Sequence, residues 1–227
     1  MPEISIVIPA YEAEPHLTRA VESVLAQTHT DWEMIIIADD GQDYKKFLHE
    51  QGIHDARITF TSTGKIGAGP SYARNTGIRH CQSNIIANLD ADDAYDKDYL
   101  RHILPVVRQY GAATSKMSFI DEETGTINKQ VQYPDKDGPL PLRDILRHSF
   151  SYQNIVFDRN RCSAKWPEEL RYGEDIVFWV MLMEDIGKIY YVSSAHYYYY
   201  MRQGSLSRQH APEDTFALCE RIQTVLQ

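Results

Sequence analysis

Asp90, Asp92 and Asp93 fall within four residues, directly after the apolar run Asn84-Ile-Ile-Ala-Asn-Leu89. Two carboxylates two residues apart repel each other unless a cation joins them. Carboxylate oxygens select hard ions such as Mg²⁺ or Mn²⁺, which leave coordination positions open for phosphates and water. Asp90-Ala-Asp92 therefore reads as a metal–diphosphate site, and Asp93 as a structural turn residue. A solvated turn is the plain alternative, because Asp is common in turns and at helix N-caps. A calcium loop is excluded: it needs Gly at its sixth place and Glu at its twelfth, and counting from Asp90 these are Tyr95 and Arg101.

Three further groups carry candidate chemistry. Glu174-Asp175 precedes Ile176-Val-Phe-Trp-Val-Met-Leu-Met183. Acids there suit a helix N-terminus, or form a general base at a helix entrance, a role that typically contributes about 10²–10⁴-fold. Asp39-Asp40 closes a second apolar run, where an acid commonly reads a nucleotide's polar edge or ribose hydroxyl; an ordinary turn before Gly41 is the alternative. Gly67-Ala-Gly69 resembles part of a dinucleotide fingerprint, but Tyr72 stands at the third glycine position, and a lone GxG is weak. Arg74, one turn further on, reaches a phosphate or carboxylate, or makes a surface pair. His196 and His210 are late candidates for metal ligation, although spacing does not bring them near Asp92.

The elements that must position these groups follow from periodicity. Ile4–Ile8, Trp32–Ala38, Arg57–Thr61 and Asn84–Leu89 are apolar, β-branched runs that read as buried strands, the first closed by Pro9. Helical spacing covers 15–27, 43–50, 70–80 and 98–109. Strand–helix alternation of this kind predicts a parallel sheet covered by helices, with ligands beyond the carboxyl ends of the strands. Pro9–Glu12, Asp39-Asp40, the glycine loop and Asp90–Asp93 all sit there. The second half changes character: a hairpin of Ser115–Ile120 and Thr126–Tyr133, a helix near 142–148, a strand at Gln153–Phe157, a helix over 176–183, strands at Lys188–Val192 and His196–Tyr200, and an amphipathic helix over Pro212–Leu226. The tyrosine run Tyr197–Tyr200 reads as strand packing on both faces. The predicted fold class is α/β with a mostly parallel central sheet and a smaller mixed subregion. The chain reads as a single compact domain with a nucleotide-binding half (1–113), an acceptor half carrying the base (114–212) and a terminal helix (213–227).

Bulk properties bound the function. A net charge of −9 without a Lys/Arg cluster makes nucleic acid a poor partner, although a metal can supply the positive charge that a nucleotide needs. Cys81, Cys162 and Cys219 are odd in number and lack metal-type spacing, which suits reduced thiols in a cytoplasmic protein. No signal peptide or membrane-spanning segment is expected, so membrane contact would be peripheral, at the inner face.

Taken together, Ile4-Ser-Ile-Val-Ile-Pro-Ala-Tyr11, Ser23-Val-Leu-Ala-Gln-Thr28, Asp39-Asp-Gly41, Ala73-Arg-Asn75, Leu89-Asp-Ala-Asp-Asp93 and Gly173-Glu-Asp175 resemble the inverting family 2 glycosyltransferases with a GT-A fold. The resemblance covers most of the chain, in order. It implies that Pro9, Tyr11 and Glu12 border the nucleobase, with Glu12 replacing the family's usual Asn. It implies that Asp40 contacts the base, typically uracil, that Lys65 and Arg74 lie near the donor, and that Asp90 faces the ribose or donor sugar. Asp92 would hold Mn²⁺ or Mg²⁺ on the diphosphate, and Asp175 would be the catalytic base with Glu174 beside it. Relatives often carry a His three residues before the Ser that here is Ser205; this chain has Arg202, implied to touch the diphosphate. The implied partners are an NDP-sugar, with UDP-sugar favoured, and a carbohydrate or lipid-linked acceptor, with the chain acting alone or as a homodimer. A nucleotidyltransferase is the main rival, but Pro9-Ala-Tyr-Glu12 offers neither the glycine nor the cation that a triphosphate loop uses. A glycoside hydrolase or a non-catalytic sugar-nucleotide binder are the others.

Overall fold

The computed structural model describes residues 1–130, 136–140, 154–170 and 173–202. Three strands buried on both faces, β1 (Ile4–Ala10), β2 (Trp32–Ala38) and β4 (Ile85–Asn88), and the more exposed edge strand β3 (Ile58–Ser62) run parallel in the spatial order β3-β2-β1-β4. Between them run α1 (Glu14–Leu25), α2 (Tyr44–Glu50) and α3 (Pro70–His80), followed by α4 (Tyr99–Tyr110). Leu17, Ala20, Val21 and Val24 recur at helical spacing and are the buried face of α1. In α4 the same face is Leu100, Ile103, Leu104 and Val107.

The first strand outruns its expected end. Pro9 pairs with Ile37 and the strand continues to Ala10. The Val7 carbonyl accepts from Leu89, so the polar groups of residues 7 and 9 point toward β4. The β1–β4 pairing stops at Val7–Asn88, so the missing Pro9 N–H costs no ladder bond.

Beyond β4 the sheet becomes mixed. β9 (Val156–Asp158) is antiparallel to β4 and to β6 (Ala112–Asp121), and β10 (Ile189–Met201) is parallel to β6. Two reversals restore the original direction, so β6 and β10 end at the same edge as β1–β4. The expected hairpin is present as β6 and β7 (Ile127–Gln130). The two strands expected at 188–192 and 196–200 are one continuous strand, with a register shift between Val192 and His196 that mimics a break in the pattern. Two elements escaped the periodicity reading because they are too short to show any: β5 (Ala94–Tyr95) and β8 (Gly138–Leu140), both antiparallel to β10. The expected helices near 142–148 and over 212–226, together with Gln153, lie outside the described residues. A final helix, α5 (Glu174–Ile186), is longer than its apolar run at both ends. Among the described residues no helix is long and apolar enough to cross a membrane.

α3 lies unusually close to the sheet. A Cβ on Gly77 would fall 2.6 Å from both Val7 Cγ1 and Ile37 Cδ1. Gly77→Ala therefore has to push the helix or two core side chains aside, and is expected to cost about 1–3 kcal/mol. Urea denaturation monitored by circular dichroism measures it; a stabilised variant would show that the gap closes by glycine alone and not by packing.

Candidate active site

The polar residues at the carboxyl edge of the sheet divide into those that build the edge and those that face outward from it. Asp39 builds. It is buried, and its carboxylate accepts from Thr63 Oγ1 (2.8 Å), Ala68 N (2.9 Å) and Gly69 N (2.8 Å), while its carbonyl accepts from Gly67 N (2.7 Å). One side chain thus folds the whole glycine-rich loop and sets where α3 begins. Asp40 is also committed to its neighbours: it accepts from Glu12 N (2.6 Å), Tyr44 OH (2.5 Å) and Gln42 N (3.0 Å). Burial and the Asp40 charge push the Tyr44 hydroxyl pKa up. Tyr44 also accepts from Ala13 N, so Asp40 and Tyr44 together hold the segment after β1, including Glu12 at φ 49°. Tyr11 is 50% exposed and borders Gly67, while the Lys65 ammonium lies 4.6 Å from the Tyr72 ring centroid. Pro9, Tyr11, Glu12, Asp40 and Lys65 therefore share one rim.

Arg74 is the centre. It is 2% exposed, not on the surface. Nη2 donates to Asp90 Oδ1 at 2.8 Å, Nη1 to Glu174 Oε1 at 3.3 Å, and the guanidinium lies 4.4 Å over Trp166. Burial works against its charge, but Asp90, Glu174 and Asp175 outweigh that and raise its pKa. The adjacent Asn75 clamps the Trp166 backbone in both directions, donating to its carbonyl (2.8 Å) and accepting from its amide (3.1 Å). Trp166 stacks in turn on Phe178 of α5, with centroids 4.2 Å apart. Nothing in its sequence context marked Trp166, a lone aromatic outside any motif.

The acids of α5 stand at its first turn, after Gly173 in the left-handed region (φ 73°), where a side chain would be strained. Glu174 is buried and spends its charge on Arg74. Asp175 accepts from its own helix at Ile176 N (2.9 Å). Burial, reinforced by the Glu174 charge, raises its pKa to about 7, with Ile176 N–H and Arg74 opposing.

The carboxylate turn itself separates three roles. Asp93 is fully buried, accepting from Tyr197 OH (2.6 Å) and Tyr200 N (2.9 Å); burial raises its pKa well above the usual range. Asp92 is partly exposed and pairs with Arg202 Nε at 3.1 Å. Burial and the Asp90 charge raise its pKa, with Arg202 opposing. Arg19 donates to the Asp92 carbonyl. His196 is not part of this group: its Nε2 bonds Ser118 Oγ at 2.7 Å, within the β6–β10 ladder that reaches the edge only at Asp121 and Met201. His210 lies outside the described residues. Among the described residues no three His, Cys, Asp or Glu side chains gather to hold a metal. The oxygens of Asp92, with Asp90 beside it, are hard donors of the kind Mn²⁺ or Mg²⁺ takes when phosphates and water complete the shell.

Residues 5–164 match the model of glycosyl transferase family 2. The chain belongs to glycosyl transferase family 2. This family 2 chain is 35% identical over 183 residues to the Escherichia coli UDP-Glc:alpha-D-GlcNAc-diphosphoundecaprenol beta-1,3-glucosyltransferase WfgD, covering 80% of this chain and 70% of that one. It is 27% identical over 222 residues to the succinoglycan biosynthesis protein ExoO of Rhizobium meliloti, covering 92% of this chain. Among solved structures, S. aureus TarS 1–349 in complex with UDP-GlcNAc matches with a TM-score of 0.77 at 20% identity over 98% of this chain. That likeness establishes the GT-A architecture. The chain spans 63% of the length of ExoO and 65% of that TarS chain.

Removing the cation leaves buried carboxylates facing one another. Arg74→Met should destabilise the family 2 fold by about 3–5 kcal/mol. Tyr197→Phe, which removes one hydrogen bond from buried Asp93, should cost about 1–3 kcal/mol. Chemical denaturation ranks the two; equal or negligible costs would mean that Arg74 is not the charge that closes the edge.

Proposed function

We propose that this chain transfers a sugar from a nucleoside-diphosphate sugar, with UDP-sugar favoured, to an acceptor hydroxyl, with inversion at the anomeric carbon. The observation that carries this reading is the Arg74 bridge. It joins Asp90, on the donor-side turn, to Glu174, beside Asp175, whose pKa is raised to about 7. In this reading Pro9, Tyr11, Glu12, Asp40 and Lys65 border the nucleoside, Asp90 faces the ribose or donor sugar with Arg74 beside it, and Arg202 borders the diphosphate. In the same reading residues 1–113 form the donor half and residues 114–212 the acceptor half.

The chemistry is a single displacement. Asp175 takes the proton from the acceptor hydroxyl, whose oxygen attacks the anomeric carbon while the bond to the diphosphate oxygen breaks. The transition state resembles an oxocarbenium ion, as in glycoside chemistry generally. Asp92 would hold Mn²⁺ or Mg²⁺, which would supply positive charge opposite the departing diphosphate. Arg202 adds a second cation on the same side. Glu174 keeps Arg74 in place and, by its own charge, keeps Asp175 basic. The name of WfgD supports a UDP-sugar donor and a lipid-linked acceptor, hence work at the cytoplasmic membrane face in polysaccharide or glycoconjugate synthesis.

A base with a pKa of about 7 is active when deprotonated, so kcat/KM should rise with pH below 7 and level off above it. Asp175→Asn should lower transfer by about 10²–10⁴-fold while UDP binding persists. Asp92→Asn should weaken metal-dependent UDP binding, measured by calorimetry with and without Mn²⁺. Normal turnover in both variants, or an α-linked product from an α-linked donor, would overturn the assignment.

A further inference from the structure

Five residues form a closed ring at the edge of the site, joined by four side-chain contacts and the Asp92 carbonyl, and three of them belong to no motif. Glu122 Oε1, in the turn between β6 and β7, accepts from His16 Nδ1 at 3.0 Å and from Arg19 Nη1 at 2.9 Å, both on α1. Arg19 Nη2 donates to the Asp92 carbonyl, and its guanidinium stacks 3.6 Å from the Tyr200 ring centroid. Asp92 Oδ2 pairs with Arg202 Nε at 3.1 Å, and Arg202 Nη1 reaches His16 Nε2 at 3.5 Å. The Glu122 amide also donates to the Met201 carbonyl at 3.1 Å, fixing the turn against the end of β10.

The donors and acceptors in this ring allow one arrangement. A carboxylate only accepts, so His16 Nδ1 carries a proton toward Glu122. A guanidinium only donates, so His16 Nε2 presents its lone pair to Arg202. Both conditions hold only for the neutral Nδ1–H tautomer. Glu122 therefore sets the tautomer of His16, and His16 sets the direction of the Arg202 fork. Through Arg19 the same carboxylate also holds the backbone of Asp92.

We propose that Glu122 is a positioning residue for the donor's diphosphate: acting through His16 and Arg19, it aims Arg202 and Asp92 although it belongs to the acceptor-side hairpin and touches neither donor nor metal. This rests on the donor reading above. A carboxylate in this turn that acted only in folding would leave the donor affinity unconnected to the hydrogen bonds its oxygen accepts.

The test pairs a donor titration with a spectrum that needs no donor. Glu122→Ala, Glu122→Gln and His16→Ala are checked for folding by circular dichroism and thermal midpoint, then titrated with UDP in Mg²⁺ by calorimetry. Glu122→Ala and His16→Ala should raise the UDP dissociation constant by about tenfold or more, the usual effect of losing a group that orients a ligand. In turnover, the donor KM should rise while kcat holds. Glu122→Gln, whose amide oxygen still accepts from both partners, should recover most of the affinity. Long-range ¹H–¹⁵N spectra of the ligand-free protein should show His16 protonated at Nδ1 in wild type and in Glu122→Gln, but not in Glu122→Ala. If Glu122→Ala fails to fold, His16→Ala still decides the donor effect. Wild-type UDP affinity in folded Glu122→Ala, or an Nε2–H tautomer in wild type, overturns the proposal. A wild-type protein that binds no UDP overturns the donor reading itself, and the His16 spectrum then reports on the ring alone.

Discussion

The edge of this sheet depends on a buried guanidinium. Asp90 and Glu174 both follow Arg74 in the chain, 16 and 100 residues later. Two carboxylates and an arginine out of water cost more in desolvation than their attraction returns unless the geometry is tight. Tightness comes from outside the charges. Trp166 covers the guanidinium face, Asn75 grips the Trp166 backbone, and Phe178 stacks beneath it. Residues 74 and 75 are consecutive on α3, so one helix presents the cation and the clamp together. The height of that helix is fixed by Gly77 against Val7 and Ile37, and its start by the amides that Asp39 collects. A packing contact and a loop-folding carboxylate thus determine where a charge sits.

The division of labour between Glu174 and Asp175 follows from the same bridge. Adjacent acids at a helix start share the favourable dipole, yet they end in different states. Glu174 is paired with Arg74. Asp175 is turned from that pair, accepts from its own helix, and feels Glu174 as a repulsive neighbour. Burial, together with that neighbouring charge, brings its pKa to about 7. Exchanging the two roles would require the arginine to move, which its packing forbids. The aspartates of the turn separate in a similar way: Asp93 is consumed by Tyr197 and the Tyr200 amide, Asp90 by Arg74, and Asp92 stays accessible, with Arg202 as its ion-pair partner.

Much of this was legible before any coordinates. Trp32–Ala38 and Pro70–His80 are where their apolar pattern and helix-starting proline place them, because long periodic segments carry the strongest signal. Asp39 and Asp40 were legible as punctuation but not as individuals: sequence gives the turn, whereas only coordinates show that Asp39 collects loop amides and Asp40 the segment after β1. Trp166, His16, Arg19 and Glu122 left no trace. Their partners in the site are separated by 73 to 186 positions, and no local pattern encodes a contact of that range. The β10 bulge misled for the opposite reason: Ser193 and Ser194 are a local signal that imitates a strand end.

The direction of the strands explains why the second half of the chain reaches the carboxylate turn at all. A purely parallel continuation of the sheet would require a long crossover for each strand. Here β9 enters antiparallel between β4 and β6, so β6 and β10 regain the orientation of β1 after a single short reversed strand. Their carboxyl ends, Asp121 and Met201, therefore emerge beside Asp90–Asp93 rather than at the opposite edge. Glu122 and Arg202 are the next residues in each case. Their meeting with α1 and Asp92 is then a consequence of strand polarity, and the tyrosines of β10 that bury Asp93 are the physical link: the strand that delivers Arg202 to the edge is the one that immobilises the turn it pairs with.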